Sequence, residues 1–130
     1  MAGTATIRQS ISITDLGSVP TLAETFTIAS VGEQIYQVAD LAASTAYDAV
    51  SLGQVDATAV QGVAIRLISG GTTKATGLSI DTESATWVTS HAVLLQGEMM
   101  WWRPGATTFI WSIKNLNTSA CSYEYLIWGS

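Results

Sequence analysis

The chain has 130 residues, enough for one domain with a sizeable core, and we expect residues 1–130 to form that single domain. Its net charge is −5 and its five Lys and Arg residues are dispersed, which argues against direct binding of nucleic acid. Because no apolar run approaches the roughly 20 residues of a membrane helix and no secretory signal is visible, we expect no membrane partner and folding in a reducing cytosol.

The N-terminal part alternates between apolar and polar side chains, which is typical of β-strands. Strands are predicted at residues 4–14, 24–30 and 34–40. In the first of these, Arg8, Ser10 and Ser12 share a polar face, which indicates a strand that faces water or another chain. Residues 15–20 interrupt the pattern, because Gly17 permits a turn and Pro20 disfavours helix.

The central part contains the strongest strand signal, at residues 60–69, with Val63, Ile65 and Leu67 on one face. The pair Gly70-Gly71 predicts a tight hairpin turn with positive φ values. That turn would lead into a further strand. The expected order here is a loop at 41–48, a strand from 49, the strand at 60–69, and further strands at 72–76, 78–80, 86–88 and 92–96.

The C-terminal quarter, residues 92–128, holds four of the five tryptophans, Trp101, Trp102, Trp111 and Trp128. Two strands are predicted in it, at residues 107–114 and 121–128. The polar residues 115–119 between them have the length expected for a hairpin connection. We expect Trp111 to lie in the core, since alternation places it on the same face as other large apolar side chains.

About eight to ten short strands, separated by turn residues and accompanied by little or no helix, indicate an all-β protein. The pattern favours an antiparallel β-sandwich, with a jelly roll as the first choice of architecture.

Catalytic chemistry finds little support in the sequence, and we expect neither an enzyme nor a metal or cofactor site. His91 is the single histidine, and no spacing typical of zinc ligands accompanies it. Glu98 and Glu124 are interpreted as a turn residue and a strand-face residue rather than as a catalytic pair. The lone Cys121 lies within a strand pattern and is interpreted as a small buried side chain.

Charged residues make up only 12% of the chain, which favours a subunit whose faces are covered by neighbours. Residues 99–102 are apolar on both faces of a strand, so one of these faces needs a cover. Core burial and a glycan-stacking platform are the alternatives for the two tryptophans there. The candidate oligomer or partner interface consists of Met99, Met100, Trp101, Trp102 and Arg103, together with Arg8, Ser10 and Ser12.

The N-terminal strand has two possible roles. An unpaired terminal strand is a template for pairing with another chain, so this strand could be an intersubunit arm. The alternative is an ordinary strand paired within its own subunit.

Four segments of the C-terminal half carry a resemblance: Leu-Gln-Gly-Glu at 95–98, Pro-Gly-Ala-Thr-Thr-Phe-Ile-Trp at 104–111, Ser-Ala at 119–120 and Tyr-Glu-Tyr-Leu-Ile at 123–127. This pattern resembles the small β-sandwich structural proteins of tailed bacteriophages, in which a Gly-Glu turn precedes a strand and the last strand closes the sheet. The tryptophan-rich run at 99–102 departs from that pattern.

The resemblance implies a virion structural protein that is assembled in the host cytoplasm, most simply a capsid decoration or cement subunit. Its implied partners are further copies of itself, with a homotrimer as the preferred state, and the major capsid protein or other virion proteins. A head-fibre, neck or tail subunit and a carbohydrate-binding β-sandwich module remain alternatives.

Overall fold

The computed structural model describes residues 3–11, 22–105 and 108–130. These residues form antiparallel β-strands and contain no helix, which confirms the all-β prediction. The expected turn at 15–20, the end of the first predicted strand and Ser12 lie outside the described residues. In chain order the strands are β1 (Gly3–Ile11), β2 (Leu22–Val31), β3 (Glu33–Leu41), β4 (Ala46–Tyr47), β5 (Val60–Ser69), β6 (Leu78–Asp81), β7 (Ala92–Leu94), β8 (Met99–Trp102), β9 (Ser112–Asn115) and β10 (Cys121–Gly129).

The strands form three sheets. Strands β1 and β2 pair only with each other, in a two-stranded ribbon. One four-stranded sheet, here called sheet I, has the order β3-β10-β5-β8. The other, sheet II, has the order β4-β9-β6-β7.

Both four-stranded sheets contribute to one hydrophobic core, because alternate residues along their strands point to the same side. The predicted apolar face of β5 is buried in this core. On β10, the buried face carries Cys121, Tyr123, Tyr125 and Ile127. Trp111, only 1% exposed, lies in this core, where its ring meets Tyr125 edge-on at 5.4 Å and Trp102 at 5.8 Å. The prediction of a buried Trp111 is therefore confirmed.

The predicted hairpin at residues 115–119 is wrong, because β9 belongs to sheet II and β10 to sheet I. The connection instead carries the chain from one sheet to the other. Its fixed point is the buried side chain of Asn115. The Asn115 amide donates to the backbone carbonyls of Leu41 and Ala42, both at 3.2 Å, and of Ser119 at 2.8 Å. Its carbonyl oxygen accepts the backbone N–H of Asn117 at 3.0 Å.

The predicted hairpin at Gly70-Gly71 is wrong for the same reason. The chain leaves β5 in sheet I and continues to β6 in sheet II, so residues 72–76 form turns rather than a strand. Among the described glycines, positive φ occurs at Gly53 and Gly97 rather than at this pair. Two other strand predictions also fail, since residues 49–53 and 86–88 are loops.

The strand predicted at 107–114 begins later, at Ser112, and residues 109–111 approach it without ladder pairing. The Trp111 carbonyl accepts the backbone N–H of Val50 at 3.3 Å. The predicted common face nevertheless holds, because Phe109, Trp111 and Ile113 are all buried.

The β1–β2 ribbon lies against the outer face of sheet I, the face directed away from the core. Phe26 of β2 packs against Trp101 of β8, with ring centroids 6.0 Å apart. The pairing of β1 with β2 shifts register between Gly3 and Thr4, which leaves Ser30 as a bulge with a φ of 61°. Of the two roles considered for the N-terminal strand, the structure places it in a ladder within its own chain.

We expect Trp111→Ala to lower the free energy of unfolding by about 3–5 kcal/mol, because it removes the ring that fills the centre of the core. Urea denaturation of parent and variant measures this difference. The control is Ile110→Ala, since the neighbouring Ile110 is 43% exposed and its loss should change stability by about 0.5 kcal/mol or less. Equal effects of the two substitutions would contradict the central position of Trp111.

We expect Asn115→Ala to cost about 1–3 kcal/mol, because the carbonyls of Leu41, Ala42 and Ser119 lose their shared donor in a buried site. The same denaturation measurement applies. Gln54→Ala removes an exposed amide and serves as the control. A variant as stable as the parent would show that water replaces the amide at no cost.

Candidate interaction surface

The outer face of sheet I is formed by the alternate residues that point away from the core. On the central strand β10, these are Glu124, Leu126 and Trp128. Leu126 lies opposite Tyr36 of β3 on one side and Ala64 of β5 on the other. The register thus joins side chains from distant parts of the chain into one surface.

Strand β8 separates the predicted interface residues into two groups. Met100 and Trp102 pack against the core, with the Trp102 ring 6.2 Å from that of Phe109. Met99 and Trp101 point to the outer face, in register with Arg66 and Ala64. Packing against the core, one of the alternatives for the tryptophans, therefore describes Trp102, which is half-buried, and the outer face retains Met99 and Trp101.

A close contact between Trp128 and Gly62 shapes this surface. Trp128 is directly opposite Gly62 in the ladder, and a Cβ atom added at Gly62 would lie 2.0 Å from the indole ring. Glycine at this position therefore lets the ring lie over the neighbouring strand. Trp128 is buried, and its indole Nε1–H has no hydrogen-bond partner among the described residues.

A cavity of about 380 Å³ lies between the ribbon and this surface. Three predicted interface residues, Arg8, Met99 and Trp101, meet there although β1 and β8 are far apart in sequence. Leu126 and Trp128 line the same space. The two segments that the sequence singled out separately, the N-terminal strand and the apolar run, thus line one cavity.

The predicted interface residues differ in how exposed they are. Ser10 and Arg103 are exposed, and Met99 is 66% exposed, which is unusual for a methionine. Ile7 lines the cavity and is only half-buried, so it does not belong to the main core.

The rest of the outer face is open and carries a polar cluster. The Tyr36 hydroxyl donates to Glu124 Oε2, and the Arg66 guanidinium pairs with Glu124 Oε1. The hydrogen bond from Tyr36, together with Arg66, holds the pKa of Glu124 below its ordinary value. The same hydrogen bond to Glu124 raises the pKa of Tyr36. Val38 is exposed beside this cluster.

His91 is a candidate catalytic residue, and the structure places it close to two carboxylates. Its Nδ1 lies 3.2 Å from Asp81 Oδ1, and its Nε2 lies 3.6 Å from Glu83 Oε2. These carboxylates approach different ring nitrogens, so they do not converge on one metal position with the histidine. Among the described hydrogen bonds, none joins a serine hydroxyl to His91. The hydroxyl of the neighbouring Ser90 pairs with that of Ser79.

The buried Asp81 organises the loop between β6 and β7. Its Oδ1 accepts the backbone N–H of Glu83 at 3.0 Å, and its Oδ2 accepts those of Val88 and Thr89 at 3.1 and 3.3 Å. Burial raises the pKa of the Asp81 carboxyl, but these hydrogen bonds, together with His91, outweigh burial and hold that pKa below its ordinary value. The cluster therefore anchors a loop.

The other candidate catalytic groups also have structural partners. Glu98 closes its own turn, because its carboxylate accepts the backbone N–H of Leu95 at 3.0 Å while its N–H donates to the Leu95 carbonyl at 2.9 Å. Glu124 belongs to the outer-face cluster. Burial raises the pKa of the Cys121 thiol, which disfavours the reactive thiolate.

Within the described ranges, no group of three or more His, Cys, Asp or Glu side chains is placed to hold a metal ion. None of the described residues belongs to a helix that could span a membrane.

Several residues of the surface were missed by sequence reasoning. Alternation placed Leu126 and Trp128 on the same face of β10, but it did not show that this is the outer face or that a ribbon covers it. Phe26 was predicted only as part of a strand. The signal that could have found the site is Gly62, because a glycine inside a strong strand often marks the close approach of a neighbouring group.

A scan against protein-family models finds no match for this chain, and a search of curated proteins finds none either.

We expect Asp81→Asn to destabilise the protein at neutral pH, because the amide replaces an ionised acceptor of three backbone N–H groups. A carboxyl whose pKa is lowered by folding contributes stability above its unfolded pKa, about 3.9, and loses it as the pH falls through the folded pKa. The stability difference between parent and variant should therefore be full at pH 7 and shrink below about pH 3.9.

Denaturation midpoints measured across this pH range test the expectation. The control is Glu83→Gln, which removes an exposed carboxylate from the same loop and should have little effect at any pH. A stability difference for Asp81→Asn that stays constant down to low pH would contradict the assigned role.

Proposed function

We propose that this chain is a virion structural subunit of a tailed bacteriophage, most simply a capsid decoration or cement protein that acts as a homotrimer. The observation that carries the proposal is an outer sheet face bearing exposed Met99 beside Trp101, in a protein with only 12% charged residues. Such a face is costly to leave in water and is typical of interaction sites.

The strand order supports a jelly-roll sandwich as the architecture of this subunit. Sheets I and II have the orders β3-β10-β5-β8 and β4-β9-β6-β7, and consecutive strands repeatedly alternate between them. Eight strands in two antiparallel sheets with such crossings are what two Greek keys produce. Viral capsid proteins and lectins both use this architecture, so it is compatible with the proposed function and with its main rival.

The proposed role is mechanical. A subunit that bridges neighbouring capsomers stabilises the shell because opening the lattice must also break the contacts of the bridge. Met99 and Trp101 would supply the apolar part of such a contact, and Arg8, Ser10 and Arg103 the surrounding polar rim. The same contacts would serve a head-fibre, neck or tail subunit.

A carbohydrate-binding module is the second candidate, and the polar cluster on the open half of the outer face favours it. Tyr36, which is 61% exposed, lies beside Arg66 and Glu124, and an aromatic ring next to charged hydrogen-bonding groups is suited to stacking on a sugar. The tryptophan relevant to this alternative is Trp101, because Trp102 packs against the core.

We expect the purified chain to sediment as a stable oligomer with about three times the 13.7 kDa mass of one chain. Met99→Glu should dissociate this oligomer or abolish its binding to capsids, because the charge would be desolvated in the contact. The matched control is Val88→Glu, which places the same charge at an apolar position that is 70% exposed in a loop.

Mass spectrometry of purified particles from the source of the protein tests the proposal directly, and we expect this chain there at a high, fixed copy number. Its absence from particles would overturn the virion role. Binding to a glycan array that is lost in Tyr36→Ala or Trp101→Ala, in a chain absent from particles, would establish the carbohydrate-binding alternative instead.

A further inference from the structure

We propose that the β1–β2 ribbon is an exchangeable arm, which in the assembled protein packs on the outer face of sheet I of a second copy of this chain. The inference rests on the proposed homo-oligomer and adds how its subunits are joined. Each subunit would give its ribbon to a neighbour and accept one, so the contact would be made by the same residues as in the closed chain.

The ribbon needs a surface to pack on. An isolated pair of strands is marginally stable in water. It needs a third strand, or another element to pack against, to bury its apolar side chains. Of the described side chains in β1 and β2, only Ile28 is buried, and Phe26 remains 38% exposed against Trp101. The outer face of sheet I, with Leu126 and Trp128, offers the apolar surface that the ribbon lacks.

The ribbon is loosely packed on sheet I. An open cavity of about 380 Å³ lies between them, so side chains on both sides lack the dispersion contacts of a filled interface, and this lowers the cost of releasing the ribbon. The polar links are also few. The Gln61 amide reaches the Ala29 carbonyl at a long 3.4 Å, and Gly32 N–H donates to the Gly129 carbonyl at 2.8 Å.

The hinge between the ribbon and the body is short. Strand β2 ends at Val31 and β3 begins at Glu33, which leaves Gly32 as the single residue between them. The bulge at Ser30 belongs to the β1–β2 pairing, so it would move with the ribbon as one unit. Short hinges favour segment exchange, because a single linking residue restricts how the ribbon folds back on its own chain while the same contacts can be re-formed between chains.

The closed and the exchanged forms share the Phe26–Trp101 contact and the burial of Trp128. The free-energy difference between the two forms therefore depends on the conformation of the hinge and on the entropy of association. In an assembly, neighbouring copies are held at high effective concentration, which offsets the entropy of association. Among the described residues, each strand of the ribbon pairs on one side only. The other side is an edge at which a strand of a neighbouring copy can pair.

The test introduces one cysteine on the ribbon and one on sheet I, Arg8→Cys and Met99→Cys, which line the same cavity but spare the Phe26–Trp101 contact. Isotopically light and heavy chains are mixed, refolded together and treated with a bis-maleimide crosslinker. We expect crosslinks that join light to heavy chains, and dimers and larger species on a denaturing gel. The parent, with its single buried Cys121, is the control for background crosslinking.

A second pair, Thr4→Cys and Gln34→Cys, repeats the measurement at polar positions near the hinge in case the first variant does not fold. A third variant carries four Gly and Ser residues inserted after Gly32. The longer hinge should let the ribbon close on its own chain, so the fraction of interchain crosslinks should fall severalfold. The same insertion after Gly53, in an exposed turn, should leave that fraction unchanged.

Crosslinks confined to single chains in the parent hinge background would overturn the exchange, whether the protein is an oligomer or a monomer. Insensitivity to the hinge insertion would also overturn it. Neither result decides the virion role, which is decided by the presence of the chain in particles.

Discussion

The structure depends on strand β10, which is buried along its inner face and at the Trp128 end of its outer face. Strand β10 pairs along its length with β3 and β5, and its inner side chains Tyr123, Tyr125 and Ile127 lie in the core. Its outer face is also buried at Trp128, whose ring lies over Gly62. An antiparallel strand with two apolar faces needs a cover on each side. Residues of sheet II cover the inner face, and the β1–β2 ribbon covers part of the outer one.

Two buried polar side chains hold the segments that no strand ladder reaches. Asn115 bonds backbone groups where the chain crosses between the sheets, and Asp81 bonds three amides of the loop that follows β6. Both bond mainly to the backbone, which has to be satisfied when it is removed from water. The single histidine acts similarly, since His91 Nδ1 accepts the backbone N–H of Thr82, so Asp81 and His91 together have a structural role in this loop.

The sequence predicts strands and their faces well and strand partners poorly. Alternation located β5 with its true bounds and separated the two faces of β10, because period two is a local property. It could not distinguish a hairpin from a crossing between sheets at 115–119, since both need a short polar connection. The site was predicted in two parts, Arg8 and the run at Met99. That they meet depends on the folding back of the ribbon, which leaves no local signal.

The outer face of sheet I divides into two halves with different physical roles. The half under the ribbon is apolar and supplies free energy by burial. In the open half, the ion pair between the exposed Arg66 and the half-buried Glu124 contributes little energy, but a fixed pattern of charge can orient a molecule that binds there. Leu126 and Trp128 lie on the same face of β10 as Glu124. If the ribbon moved away, an apolar surface would therefore be exposed next to the Arg66–Glu124 pair. Such exposure is tolerable only where another surface replaces the ribbon at once. In the proposed exchange, release of the ribbon and contact with a neighbour would therefore be coupled through β10.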